Sequence, residues 1–185
     1  MRYAIISGNP KTDGLCYGVM QSVQNGANDG GAEVINVNIL GVGRCKVCGN
    51  GWGTCRNENR CAFGDDGFDE AQKIIASSDA VCFITPVYWG ETAEGLKCFM
   101  DRFRRCELRS DRTLAGKSVL LIASAGGSGN GIVTCLDQMG RFCIHIGANV
   151  FDYIGVNRWN SDYKKEAAYK AAKVMAQGRK NGDTL

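Results

Sequence analysis

Five runs of apolar residues, each of strand length, recur along the chain at 2–7, 33–38, 80–85, 118–124 and 149–156. They are rich in Ile, Val, Leu and Phe and show no steady polar alternation, as strands covered on both faces of a sheet require. Between them the apolar spacing becomes helical. Over 15–27, Leu15, Val19, Met20, Val23 and Ala27 fall on one stripe, and Asp29-Gly30-Gly31 supplies a stop before the second strand. The stretches 68–77, 91–105, 130–146 and 163–177 read as the remaining helices. This alternation predicts βαβ units, hence an α/β fold with a five-stranded parallel sheet between two helical layers, in a single domain spanning 1–185. Only 41–67 breaks the rhythm. It exceeds the usual length of a connection and reads as an inserted loop that needs a functional reason.

The loops that follow the strands share one edge of such a sheet, the edge where open α/β proteins bind ligands. Both prolines, Pro10 and Pro86, lie just after a predicted strand. The first loop, Ser7-Gly8-Asn9-Pro10-Lys11-Thr12-Asp13-Gly14-Leu15-Cys16, is polar, basic and opens a helix, where unpaired N–H groups and the helix dipole accept a phosphate. An ordinary turn with Asp13 as N-cap explains the same residues. The second, Thr85-Pro86-Val87-Tyr88-Trp89-Gly90-Glu91, offers two adjacent aromatics to a flat ring, unless they plug the core below. The third, Ser124-Ala125-Gly126-Gly127-Ser128-Gly129-Asn130-Gly131, is nearly bare of side chains and lets a ligand edge approach the backbone, although flexibility alone would also call for glycine. Loops after strands one, three and four converge in a sheet of order 2-1-3-4-5, where a flavodoxin-like fold places FMN.

Composition narrows the classes. The 185 residues carry a net charge of +3 with Lys and Arg scattered among acids, which gives no case for nucleic acid. The apolar stretch Tyr3-Ala4-Ile5-Ile6 is too short for a signal peptide and no segment approaches a membrane span, so the ten cysteines are expected in a reducing cytoplasm. Cys16, Cys82, Cys98, Cys106, Cys135 and Cys143 are dispersed among apolar neighbours and read as small buried hydrophobes. Cys45, Cys48, Cys55 and Cys61 differ, because Cys-x2-Cys-x6-Cys-x5-Cys in a glycine-rich loop can wrap zinc or an iron-sulfur cubane, with Arg44, Lys46, Arg56 and Arg60 offsetting the charge. A metal-free loop of reduced thiols or a redox disulfide stays open. The lone His145, in an apolar helix stretch, is read as a packed or capping residue without a catalytic role.

Several segments carry a family resemblance: Gly8-Asn9-Pro10-Lys11 with Gly14; Cys45-Lys46-Val47-Cys48 with Cys61 and Asp65-Asp66; Thr85-Pro86-Val87-Tyr88-Trp89-Gly90; and Leu96-Lys97-Cys98-Phe99-Met100-Asp101-Arg102. Over nearly its whole length the chain resembles the NAD(P)H-dependent FMN reductase superfamily, and within it the iron-sulfur flavoproteins. The resemblance implies FMN, its phosphate at Asn9, Lys11, Thr12, Gly14, Leu15 and Cys16. The isoalloxazine would meet Pro86, Val87, Tyr88, Trp89, Gly90, Ser124, Ala125, Gly126 and Gly127. It further implies a 4Fe-4S cluster on Cys45, Cys48, Cys55 and Cys61, and scaffold or subunit contacts at Lys97, Asp101 and Arg102 in a homodimer or homotetramer. The flavin would carry the chemistry, so no catalytic side chain is assigned. Electrons would come from a ferredoxin-like donor through the cluster, or from NAD(P)H without one, and pass to a quinone, a flavin or an oxygen species; an electron carrier or redox sensor would use the same site. Two departures stand out. Leu15-Cys16 replaces the Asn followed by Ser or Thr of many relatives, and six residues separate the second and third cysteines where iron-sulfur flavoproteins usually have two.

Overall fold

The computed structural model describes residues 1–108 and 112–178, and among these residues there are six strands and six α-helices. Residues 109–111 and 179–185, part of the span read as one domain, lie outside them. The sheet is formed by β1 (Arg2–Ser7), β2 (Glu33–Asn38), β3 (Ala80–Tyr88), β5 (Ser118–Ala125) and β6 (Asn149–Asn157), all parallel, in the order β2-β1-β3-β5-β6. For the five long strands this is the expected 2-1-3-4-5. A two-residue strand β4 (Glu91–Thr92) pairs antiparallel with the end of β3.

Alternation of side chains through the sheet builds two cores. Tyr3 and Ile5 of β1 join Val19, Val23 and Ala27 of α1 (Gly14–Asp29) and Ala168, Ala172 and Met175 of α6 (Ser161–Ala176). Ala4 and Ile6 point the other way, to α3 (Phe68–Ser77), α4 (Glu94–Cys106) and α5 (Ile132–Ile146) through Phe68, Phe99, Phe103 and Phe142. Each such Ile or Phe contributes about 1.5–3 kcal/mol when fully buried, which is why these strands read as unbroken apolar runs. His145 stands exposed in the last turn of α5 instead of packing, where its charged form would complement the helix dipole.

Two segments depart from expectation. The inserted loop contains a short helix α2 (Thr54–Glu58) and a 3-10 turn at Gly64–Asp66. In addition, β3 runs three residues beyond Thr85, so Pro86, Val87 and Tyr88 belong to a strand and not to a strand-to-helix loop. A proline is tolerated there because Ile84, two residues earlier and facing the same side, accepts the last bond from β1 at Gly8 N–H, 3.0 Å away. Past that point β1 has left the ladder, and the missing N–H of Pro86 has no partner to lose.

Candidate functional site

At the C-terminal edge of the sheet, β1 turns into α1 through a loop fixed by Asn9. This side chain is buried; its amide donates to the Lys11 carbonyl at 2.6 Å, while its oxygen accepts from Lys11 N–H at 3.3 Å. Lys11, Thr12, Asp13 and Gly14 stand exposed at the rim. Asp13 is the N-cap residue but makes no side-chain cap bond, and the first turn of α1 carries no acid. Its N–H groups therefore keep their capacity for an external anion. Leu15 is half-buried, and Cys16 points into the core, where burial pushes its thiol up to about 12. Cys16 is thus a small hydrophobe and not an activated nucleophile.

The second rim segment is a tight hairpin. Val87 pairs with Thr92 and Tyr88 with Glu91, leaving Trp89 and Gly90 as a two-residue turn, both at positive φ (52° and 82°), the type I′ geometry. No plug forms, since Tyr88 is 49% exposed and Trp89 entirely so. The tip leans on the start of α5, where Thr134 Oγ1 donates to the Gly90 carbonyl at 2.8 Å. A methyl group at Gly131 would lie 2.5 Å from the Gly90 Cα, so glycine is required for this contact.

The third segment leaves β5 after the buried Ser124 and Ala125 and exposes Gly126 and Gly127, beside which nothing lies within 4 Å of a Cβ position. Two open cavities flank the hairpin. One, of about 800 Å³, is lined by Val87, Tyr88, Trp89, Gly90 and the α5 entry at Asn130, Gly131 and Thr134. The other, of about 370 Å³, brings Gly8, Pro10 and Tyr88 against Leu40–Arg44 and the first turns of α4 at Glu94, Gly95 and Cys98. Tyr88 belongs to both. Cys98 is half-buried at this rim and not in the core as its sequence context implied. Trp159, after β6, is exposed on the same edge with Arg158 over its ring at 4.7 Å; a lone aromatic after the last strand gave no pattern to find it by.

The cysteine loop folds back on the other end of α4. Cys45, Cys48, Cys55 and Cys61 line one cavity with Arg102, Arg105 and Cys106 from the last turns of that helix. It measures about 20 Å³, room for one water-sized guest. The loop is wound tightly: Val47 and Asn59 adopt positive φ, and a methyl group on Gly53 would sit 3.0 Å from Cys48 Cβ. Trp52 lies between Arg105 at 4.1 Å and Arg56 at 5.9 Å. Arg102, buried, clamps the whole: it donates to the Gly43 carbonyl at 3.0 Å, the Phe63 carbonyl, Asp66 Oδ2 and Cys61 Sγ at 3.4 Å, and covers Phe68 at 4.4 Å. Burial works to raise the Asp66 carboxyl, but Arg102 and the N–H groups of Gly43 and Phe68 outweigh it and hold it below its ordinary value. Cys106 is the fifth thiol at this cavity, pushed up to about 12 by burial and then by Cys55 and Cys61. Among the described residues no three Cys, His, Asp or Glu side chains converge to share one metal ion.

Comparisons with known proteins bear on the fold and the family. The chain is 30% identical over 131 residues to an iron-sulfur flavoprotein of Archaeoglobus fulgidus, covering 68% of this chain and 56% of that protein. It therefore spans little more than half the length of that relative. An iron-sulfur flavoprotein of Methanocaldococcus jannaschii is 27% identical over 169 residues, covering 87% and 83%. Among solved structures, a flavone reductase superposes with a TM-score of 0.71 at 18% identity, over 96% of this chain and 62% of that one. An NAD(P)H:quinone oxidoreductase from Methanothermobacter marburgensis gives 0.69 at 16% identity, over 100% and 98%. At such identities the structures establish the fold, which is flavodoxin-like. The model of one family, NADPH-dependent FMN reductase, matches residues 1–162, and the chain belongs to that family.

Proposed function

We propose that the protein holds FMN at the C-terminal edge of its sheet and a 4Fe-4S centre in the cysteine loop, passing electrons from a one-electron donor to a small acceptor. The observation that carries the flavin site is the uncapped first turn of α1 beside Lys11 and Thr12, together with Gly126 and Gly127, where nothing lies within 4 Å of a Cβ position. When bound, FMN supplies one- and two-electron chemistry and the iron-sulfur centre single electrons. The phosphate would meet the α1 N–H groups, with Lys11 supplying charge and Thr12 a hydroxyl. Val87, Tyr88 and Trp89 would cover the apolar part of the ring, and the backbone at Ser124, Ala125, Gly126 and Gly127 would face its polar edge. The half-exposed β3 end keeps room beside Tyr88 for a quinone, a second flavin or an oxygen species.

Four thiols around one cavity with two guanidinium groups support the metal reading, and curated relatives bear the name iron-sulfur flavoprotein. A cubane is larger than the present cavity, so its insertion would spread the loop from the wound thiol form. A ferredoxin-like protein is the donor that a single-electron centre calls for. Hydride from NAD(P)H is the second reading, favoured by the description of the matched family. A reducing compartment such as the cytoplasm, and a homodimer or homotetramer, complete the proposal; among the described residues no helix is long and apolar enough to cross a membrane.

The test is the absorption spectrum of protein purified without oxygen, with iron and acid-labile sulfide assays. Flavin bands over a broad shoulder, with about four irons per chain, are expected for a 4Fe-4S centre. Flavin bands without iron leave the NAD(P)H-linked FMN reductase, checked by bleaching with NADPH. A colourless preparation that takes up no added FMN would refute the flavin site.

A further inference from the structure

Helix α5 carries a second apolar stripe on its outer side. Its inner face is spent on the core through Cys135, Met139, Phe142 and Ile146, yet Val133 and Ile144 stand 79% and 74% exposed on the outside. They line an open groove of about 340 Å³ with Leu136 and with Tyr153 of β6, whose hydroxyl would stand 2.6 Å from a methyl group on Gly140. Single apolar residues scattered over a surface need no explanation, but a contiguous exposed stripe at helical spacing is one that association would cover. Asp137 and Arg141 border the same groove, ion-paired at 3.1 Å and both largely exposed. We infer that this face of α5 is a two-fold interface with a second copy of this chain, the two helices packing antiparallel.

The occupant follows from the arrangement of the stripe. A two-fold pairing brings residue i of one helix to residue j of the other and j to i, so the surface must be complementary to itself about one point. Val133 and Ile144 are centred between Gln138 and Met139, and Asp137 and Arg141 on Met139. A single antiparallel register therefore sets Val133 against Ile144 and Asp137 against Arg141, each twice over. At about 1.5 Å of rise per residue the two apolar ends stand about 16 Å apart, and at about 100° per residue Asp137 and Arg141 fall on one flank of the stripe. Rotation about the two-fold keeps that flank facing its own copy. Each Asp137 then lies between two guanidinium groups, its own and the one opposite, in a network of four charges instead of an isolated surface pair. A parallel pairing would set Asp137 against Asp137, and a partner of other sequence does not require charges and apolar ends to share one centre. The inference deepens the homo-oligomeric part of the proposed function and rests on it.

The experiment is sedimentation equilibrium of the full chain, of I144D, and of D137R and R141D alone and mixed in equal amounts, with a melting curve for each. All three substituted side chains are exposed, so the curves should show a retained fold. The expected result is an associated parent and a mass halved in each variant at the concentration where the parent is assembled. The dissociation constant rises at least about tenfold as like charges meet or a charge enters the apolar strip. The mixture of D137R with R141D regains the parent's mass, because each chain then offers one sign of charge to the other. Within either chain the i,i+4 pair stays repulsive, so only pairing between chains restores association. An associated parent that none of the variants dissociates overturns the inference and leaves the homo-oligomeric reading to another surface. Variants that dissociate without recovery in the mixture overturn it as well. A monomeric parent removes the homo-oligomeric reading itself, and this inference with it.

Discussion

At Trp89 the chain holds an indole wholly in solvent at a left-handed φ of 52°, a conformation that costs a bulky residue about 1–3 kcal/mol. Trp89→Gly should leave thermal stability level or higher, yet weaken FMN by roughly tenfold, the worth of about 1.4 kcal/mol of ring contact. Fluorescence titration with FMN alongside a melting curve checks this; unchanged affinity would remove Trp89 from the flavin site. The thiols divide just as sharply. Cys16, Cys82, Cys106, Cys135 and Cys143 are buried, and burial pushes Cys16, Cys106, Cys135 and Cys143 up to about 12. Iodoacetamide at neutral pH on the metal-free native protein should label Cys45, Cys48, Cys55 and Cys61 and spare these five until denaturation. Mass spectrometry finding Cys16 alkylated in the native state would contradict the packing. Which cysteines stood apart was legible from spacing alone. The clamp at Arg102 was not, because its partners Gly43, Cys61 and Asp66 lie 59, 41 and 36 residues away and leave no local pattern.

At the scale of elements, the sequence pattern located strands well because each is buried on both faces, and α3 emerged with its predicted bounds. The hairpin was missed. Pro86 reads as punctuation, and only the early departure of β1 from the ladder, a tertiary fact, lets a strand continue through it. The pairing of α1 with α6 depends on closeness that sequence also hides: a methyl group on Gly26 would fall 2.1 Å from the Tyr169 carbonyl oxygen. In an isolated helix Gly26→Ala would gain up to about 1 kcal/mol, but here the clash should reverse the sign and cost about 1–3 kcal/mol. A domain of this size would then melt lower by several degrees, at about 2–4 °C per kcal/mol. A G26A protein melting higher than the parent would show that the helices separate without penalty.

For the molecule as a whole, the cysteine loop is tied to the sheet domain by Cys55 and Cys61 packed on the core, by Gln72 on the Asn59 carbonyl and by the Arg102–Asp66 ionic clamp, and that clamp is sensitive to acid. Asp66 is held below its unfolded value of about 3.9, so it stabilises the fold above that pH and its contribution is lost as pH falls through the folded value. Chemical denaturation between about pH 5 and pH 2 should therefore show a smaller acid loss in D66N than in the parent. Identical profiles would mean that the clamp carries no net stability. The helix bearing Arg102 joins this point to the rim, its first turns bordering the cavity beside Tyr88 and its last turns bordering the cysteines. With thirteen residues at about 1.5 Å of rise each, α4 is a rod some 20 Å long. The spacing between the two ends is thus written in covalent geometry, like the markings on a ruler, and the winding of the surrounding loops cannot stretch or shorten it.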